Sequence, residues 1–420
     1  MTDRRHFMKY VSALPLLGTI WFDGFRSKAF AAAGKSSFGN NCYTRIGLRP
    51  LINARGTWTY LSGSLELPEV RSTVDEAANY FVDMYELQQA VGKRLAELSG
   101  AEFGMVTSGA AGAMAAATAA CIAGADPARV WQLPDTTGLK HEVVMLGGRS
   151  AFDNAIRLAG GKLVVIRSLE ELPGAINSKT AMVYTTWGEE RLEKALKITK
   201  PAGVPVLVDK AAGIPPIENL SLFARMGVDL YTFSGGKGLR GPQCSGLLLG
   251  RKDLIQAALA NYSPWEGAVC RPMKVGKEEI MGCLAAVEAW KKIDLSQMDK
   301  EWEQRVQRIA KVAETVPGVS TEIQIPQGGN RYPTLTVAWD VQKWGFSVQD
   351  CAIQLREGEP RIEVLTADNP SLVPAVREGY PNKGPQRADR LQIIPSTLKP
   401  GEDLIIGKRL REILGAARKA

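Results

Sequence analysis

Ser234-Gly235-Gly236-Lys237 closes the apolar run Leu230-Tyr231-Thr232-Phe233, with Asp209 28 positions before the lysine. That spacing leaves room for one helix and one strand, so both side chains can emerge on the same edge of a parallel sheet, where open α/β sheets bind ligands. A lysine there can form an imine with the aldehyde of pyridoxal phosphate, and a carboxylate on a preceding strand can keep the pyridine nitrogen protonated. Val204-Pro205-Val206-Leu207-Val208 before Asp209 reads as a strand buried on both faces. Taken singly, Asp209 could equally be a strand-end helix cap. Lys210 is a rival for the imine, and the two-residue period of a strand turns it away from any site that Asp209 faces.

The cofactor's phosphate needs donors. Glu102-Phe103-Gly104-Met105-Val106-Thr107 reads as a strand that enters a small-residue helix through Ser108-Gly109-Ala110-Ala111-Gly112. First-turn amides of such a helix have no partners within it and suit a phosphate dianion. Ser108 is placed to cap the helix and to donate its hydroxyl, while Gly109 and Gly112 allow close approach. An alanine-rich helix packed on a sheet would show the same composition for purely structural reasons. Ser234 is a second phosphate donor in waiting.

Together with Ile52-Asn53-Ala54-Arg55-Gly56-Thr57, the extended lysine segment Ser234-Gly235-Gly236-Lys237-Gly238-Leu239-Arg240-Gly241-Pro242-Gln243 and Arg271-Pro272-Met273-Lys274-Val275-Gly276-Lys277-Glu278-Glu279, these stretches resemble the selenocysteine-synthase-related branch of fold type I pyridoxal-phosphate enzymes. Seryl-tRNA selenium transferases and glucosaminate-phosphate ammonia-lyases belong to that branch. The resemblance runs from about Tyr43 to the C-terminus. It implies Lys237 as the imine lysine, Asp209 as the partner of the ring nitrogen, and Ser108, Gly109, Ala110 and Ser234 around the phosphate. It also implies a homodimer or larger homo-oligomer with the site at the interface, Arg271 and Lys274 being candidates to reach the neighbouring subunit. Arg55 and Arg240 offer two-donor forks for a substrate carboxylate or phosphate. Two departures stand out. Gly148 occupies the position where relatives carry a histidine, leaving Phe152 or Trp187 to cover the cofactor ring, and Lys210 replaces a small residue.

Asp3-Arg4-Arg5-His6-Phe7-Met8-Lys9, the apolar Val11 to Phe22 and Ala29-Phe30-Ala31-Ala32-Ala33 have the layout of a twin-arginine signal peptide over residues 1–33. The apolar core is too short for a typical spanning helix, and no second apolar stretch reaches that length. This predicts an exported, periplasmic protein that meets the twin-arginine translocation machinery after folding, with its cofactor already acquired.

The formal net charge is +8, and residues 1–33 hold five of the basic and two of the acidic residues, which leaves +5. That mild excess suits an anionic substrate and gives no case for nucleic acid. The six cysteines lack metal-ligand spacing, and the only histidines are His6 and His141, so no metal site is expected. From Val70 to Ile293 helical patterns alternate with short apolar strands, then an α+β pattern follows. The expected architecture is α/β, of the aspartate-aminotransferase-like type. Residues 69–293 form a large cofactor domain with a mostly parallel sheet, and residues 34–68 plus 294–420 form a small α+β domain.

The leading functional expectation is an exported enzyme that forms an external aldimine with an amino acid or amino-sugar acid and then carries out β-elimination or β-replacement. Alternatives are a selenium transferase acting on aminoacyl-tRNA and a noncatalytic binding protein on the same fold. Ser234-x-x-Lys237 also has the form of a serine acyl-enzyme motif, although Gly235 and Gly236 are poor helix formers and no Lys-Thr-Gly or Ser-Asp-Asn accompanies it.

Overall fold

The computed structural model describes residues 37–326, 331–366 and 390–418; the signal-like segment lies outside them. In chain order its strands are β1 Ile52–Ala54, β2 Phe103–Thr107, β3 Glu142–Leu146, β4 Lys162–Ile166, β5 Thr180–Thr185, β6 Val206–Asp209, β7 Leu230–Ser234, β8 Gly246–Gly250, β9 Ser320–Gln324, β10 Thr334–Ala338, β11 Ile362–Val364 and β12 Arg390–Ile393.

Seven strands form the large sheet in the order β2-β8-β7-β6-β5-β3-β4. β8 runs antiparallel to both its neighbours, and the other pairs are parallel. Every residue of β2, β3, β5 and β8 is buried, as strands covered by helices on both faces must be. β4, at the edge, keeps Lys162 and Val165 exposed. The sheet has the α/β character that the alternating pattern predicts.

The Gly109–Ala123 helix is buried almost all round, which explains its alanines: a longer side chain would hold it off the sheet. A Cβ on Gly246 of β8 would stand 2.3 Å from the carbonyl carbon of Gly109, so the start of this helix is seated directly on the strand.

A second core gathers residues far apart in sequence. Ile52 and Ala54 of β1 pack with Val306 and Ile309 from the Leu295–Ala313 helix, Leu335 and Val337 of β10, and Ile406 and Leu410 from the Glu402–Ala417 helix. β1 pairs in parallel with β11, and β9, β10 and β12 form an antiparallel sheet. Among the described residues no helix is long and apolar enough to cross a membrane.

Gly246→Ala is expected to lower stability by about 1–3 kcal/mol, because the new methyl group meets main chain that cannot rotate away. Thermal melting would check this; an unchanged midpoint would show that the helix start is not seated as described.

Candidate active site

β5, β6 and β7 lie side by side and parallel, so their C-terminal ends deliver Thr185, Asp209 and Ser234 to one edge of the sheet. Beyond that edge lies a cavity of about 980 Å³. Gly109, Ala110, Phe152, Asp209, Ser234 and Lys237 are among its walls.

Close packing fixes the lysine. Cβ atoms on Gly235, Gly236 and Gly238 would lie 1.9 Å from Ser245 Oγ, 2.5 Å from Gln243 Cα and 2.0 Å from the Ile214 carbonyl oxygen. No other residue type fits at these three positions without moving the loop. Ser64 donates its amide to the Gly236 carbonyl at 3.0 Å, and Trp290 Nε1 donates to the Leu239 carbonyl at 2.8 Å. Lys237 Nζ stands 5.8 Å from the centre of the Phe152 ring. Burial holds its amine below the ordinary lysine range, while the charge of Asp209 acts in the opposite sense.

Asp209 is held on both oxygens. Oδ1 accepts the Ala211 amide at 2.9 Å, and Oδ2 accepts the Tyr184 hydroxyl at 3.0 Å. Burial, then Asp209 itself, keeps Tyr184 well above the ordinary phenol range, so it remains a donor. Behind it, buried Asp153 is paired with Arg149. Tyr184, on β5, escaped the sequence reading because a tyrosine in an apolar strand looks like ordinary core.

Ser108 differs from its expected role. It makes no side-chain cap hydrogen bond to the Gly109–Ala123 helix, and its amide donates to Tyr262 Oη at 2.7 Å, with Oη also 3.0 Å from Ser108 Oγ. The first-turn amides therefore remain uncapped by it, and Gly109, Ala110 and Ala111 line the cavity. Gly109 has φ +73°, with nothing within 4 Å of a Cβ placed there. Ser234 lines the cavity at the end of β7 and donates its amide to the Ala211 carbonyl at 3.0 Å.

The residues present fit pyridoxal phosphate on the structure's own terms: a desolvated amine, a doubly held carboxylate and an open glycine-led helix start face one cavity. Lys237 and Asp209 would hold the ring at its two ends, and the Gly109–Ala111 turn with Ser234 would hold the phosphate. The motif Ser234-x-x-Lys237 sits at a strand end and not at a helix start, which removes the geometry of a serine acyl-enzyme.

Comparison with known proteins agrees. The aminotransferase class-V family matches residues 161–359. The chain is 31% identical over 391 residues to a 5'-C-glycyluridine monooxygenase-decarboxylase of a Streptomyces species, covering 89% of this chain and 92% of that one. It is 30% identical over 390 residues to the D-glucosaminate-6-phosphate ammonia lyase of Salmonella typhimurium, covering 89% and 98%. A solved structure of D-glucosaminate-6-phosphate ammonia-lyase superposes with a TM-score of 0.73 at 29% identity, over 90% of this chain and 99% of that one. The chain belongs to the family of fold type I pyridoxal-phosphate enzymes that these two relatives represent, and it carries an aminotransferase class-V domain over residues 161–359. It is also 27% identical over 285 residues to the L-seryl-tRNA(Sec) selenium transferase of Moorella thermoacetica, over 60% of this chain and 57% of that one.

Against this family background the remaining candidates fall into place. Arg55 is buried in the second core region, where Nη1 donates to the Val364 carbonyl at 2.9 Å and the guanidinium lies over Trp58 and Tyr60. Arg240 has φ +57° and donates Nε to the Leu65 carbonyl at 2.9 Å. Neither is among the cavity walls, and these bonds tie the N-terminal segment to the rest of the chain. Arg271 and Lys274 flank a short helical turn, also away from those walls. Of the two aromatics considered at the family histidine's place, Phe152 lines the cavity, whereas Trp187 packs under Arg191. Lys210 is a correction: β6 ends at Asp209, so strand alternation does not govern the next residue, and Lys210 lines the same cavity.

A lysine amine below its ordinary range carries a free electron pair at lower pH. The apoenzyme is therefore expected to form its imine with added pyridoxal phosphate at a rate whose half-maximum lies below the ordinary lysine pKa, followed by absorbance in stopped flow. A half-maximum at the ordinary lysine value would contradict the burial of Lys237.

Proposed function

We propose that the protein is a lyase that removes a β-substituent from an amino acid or amino-sugar acid, exported in its folded form and acting as a homodimer or larger homo-oligomer. The observation that carries the reading is the convergence of Lys237 and Asp209 on one cavity that the Gly109–Ala111 helix start also lines. Similarity along almost the whole length of an ammonia lyase supports elimination.

When bound, pyridoxal phosphate supplies an aldehyde carbon for Lys237 and a protonated ring nitrogen that withdraws electrons from the substrate carbon bearing the amine. Lys237 Nζ takes the proton from that carbon and passes it to the departing β-substituent, a task suited to an amine that burial holds below the ordinary lysine range. Asp209 holds the ring-nitrogen proton, and Tyr184 fixes the carboxylate in place. The Phe152 ring stands beside the Lys237 amine at the mouth of the cavity, placed to cover a bound cofactor ring.

The relative of equal similarity named as a monooxygenase-decarboxylase favours a second reading, loss of a carboxyl group in place of a β-substituent. Release of the β-group, with ammonia following from hydrolysis of the resulting enamine, and without CO₂, separates the two.

Lys237→Ala is expected to abolish both the imine absorbance band and turnover, and borohydride should fix a pyridoxyl group on the Lys237 peptide in wild type. A turning-over variant, or an adduct elsewhere, would refute the assignment.

Export and assembly rest on the Arg4-Arg5 leader pattern, on the resemblance that places the site at a subunit interface, and on the wholly exposed Phe81 beside exposed Tyr80 and Val82. Arg4→Lys with Arg5→Lys should strand the protein in the cytoplasm, and light scattering of the exported form should give at least twice the chain mass. Undiminished export or a monomer would count against each point respectively.

A further inference from the structure

Lys210 is a second amine in the cavity, and the reaction just described gives it no task. Its place follows from the turn after β6. Gly213 donates its amide to the Lys210 carbonyl at 2.7 Å, and Ala211 donates to Asp209 Oδ1, so the chain reverses immediately beyond the strand and leaves the Lys210 side chain on the cavity wall. Nζ donates to the Thr186 carbonyl at 2.9 Å, just past the end of β5. That bond holds the ammonium between the ends of two parallel strands.

An ammonium has three protons to donate, and the Thr186 carbonyl takes one. No carboxylate among the described residues stands within ion-pair distance of Nζ, although Glu189 and Asp209 are near enough to favour its charge. Cavities seldom keep a half-buried cation opposite a neutral carbonyl unless something anionic completes it. The cofactor's phosphate is served by the Gly109–Ala111 turn and its nitrogen by Asp209, which leaves the substrate as the source of that anion.

We propose that Lys210 is a substrate-specificity residue: held over the cavity by Thr186, its ammonium receives a carboxylate of the substrate and so selects amines that also carry an acid group. The inference rests on the proposed reading of the site as one that takes an amino acid or amino-sugar acid. No bond is made or broken at Lys210; it binds. Arg331, which also lines the cavity, is the competing cation, and its role separates from that of Lys210 by experiment.

The test uses borohydride-reduced holoenzyme, in which the cofactor is fixed to its lysine and cannot exchange, so that calorimetry with succinate reads noncovalent carboxylate binding alone. Wild type should bind succinate in preference to the neutral succinamide. Lys210→Gln should weaken succinate binding about tenfold or more while leaving succinamide unchanged, and Lys210→Arg should restore most of it. Arg331→Gln should have the smaller effect.

The proposal is overturned if wild type ignores succinate, if Lys210→Gln binds it normally, or if the whole loss moves to Arg331→Gln. It is also overturned if Lys210→Gln loses both ligands together with thermal stability and Lys210→Arg does not rescue, since Lys210 would then be a strut for the Thr186 loop. A missing pyridoxyl adduct at Lys237 would refute the underlying reading of the site. An adduct at Lys237 with succinate affinity indifferent to Lys210 refutes only the inference.

Discussion

Everything in this molecule that bears on chemistry depends on one steric constraint, the close packing of main chain around Lys237. Three glycines let the loop after β7 press against Ser245, Gln243 and the Ile214 carbonyl at distances no side chain would tolerate. That packing strips water from the lysine stem and sets its amine at the sheet edge facing Asp209. A lysine on a mobile surface loop would stay protonated and solvated; this one is held where burial favours the neutral amine. The N-terminal segment contributes through Ser64, and the Lys277–Trp290 helix through Trp290, so elements far apart in sequence brace the same few residues.

The site divides its work by strand. β7 brings the amine, β6 the carboxylate, β5 the tyrosine that orients the carboxylate, and the turn after β2 the open helix start. Because the five contiguous strands β7-β6-β5-β3-β4 all run parallel and end at this edge, small changes in the loops beyond it can alter what is bound without disturbing how it is held. Phe152 and Lys210 are such changes. Both stand on connections past strand ends and line the cavity, Phe152 four residues beyond the Gly148 that replaces the family histidine and Lys210 in place of a small residue.

The large sheet was legible in the sequence because strands covered on both faces leave uninterrupted apolar runs, and the runs read before Ser108, Asp209 and Ser234 became β2, β6 and β7. Val204 and Pro205 fall outside β6, while Asp209 falls inside it as its last residue. β1 and β11 were not legible: three residues are too few to show a period, and their partner lies some three hundred residues away. Lys237, Asp209, Gly109, Ala110 and Ser234 were singled out because each belongs to a local motif whose spacing has a chemical reason, and the fold gathers them around one cavity. Tyr184 and Tyr262 were missed because their roles are set by contacts between distant segments, and Ser108 was given a capping role that Tyr262 displaces. Arg55 and Arg240 were drawn in by their charge, yet their partners are carbonyl oxygens of neighbouring segments. Lys210 was turned outward on paper by carrying strand alternation past the end of the strand.

A crystal structure of the protein grown with pyridoxal phosphate tests the central claim most directly. The account predicts continuous density from Lys237 Nζ to the cofactor, the ring nitrogen against Asp209 and the phosphate at the Gly109–Ala111 turn. Density joined to Lys210, or a phosphate bound away from that turn, would contradict it.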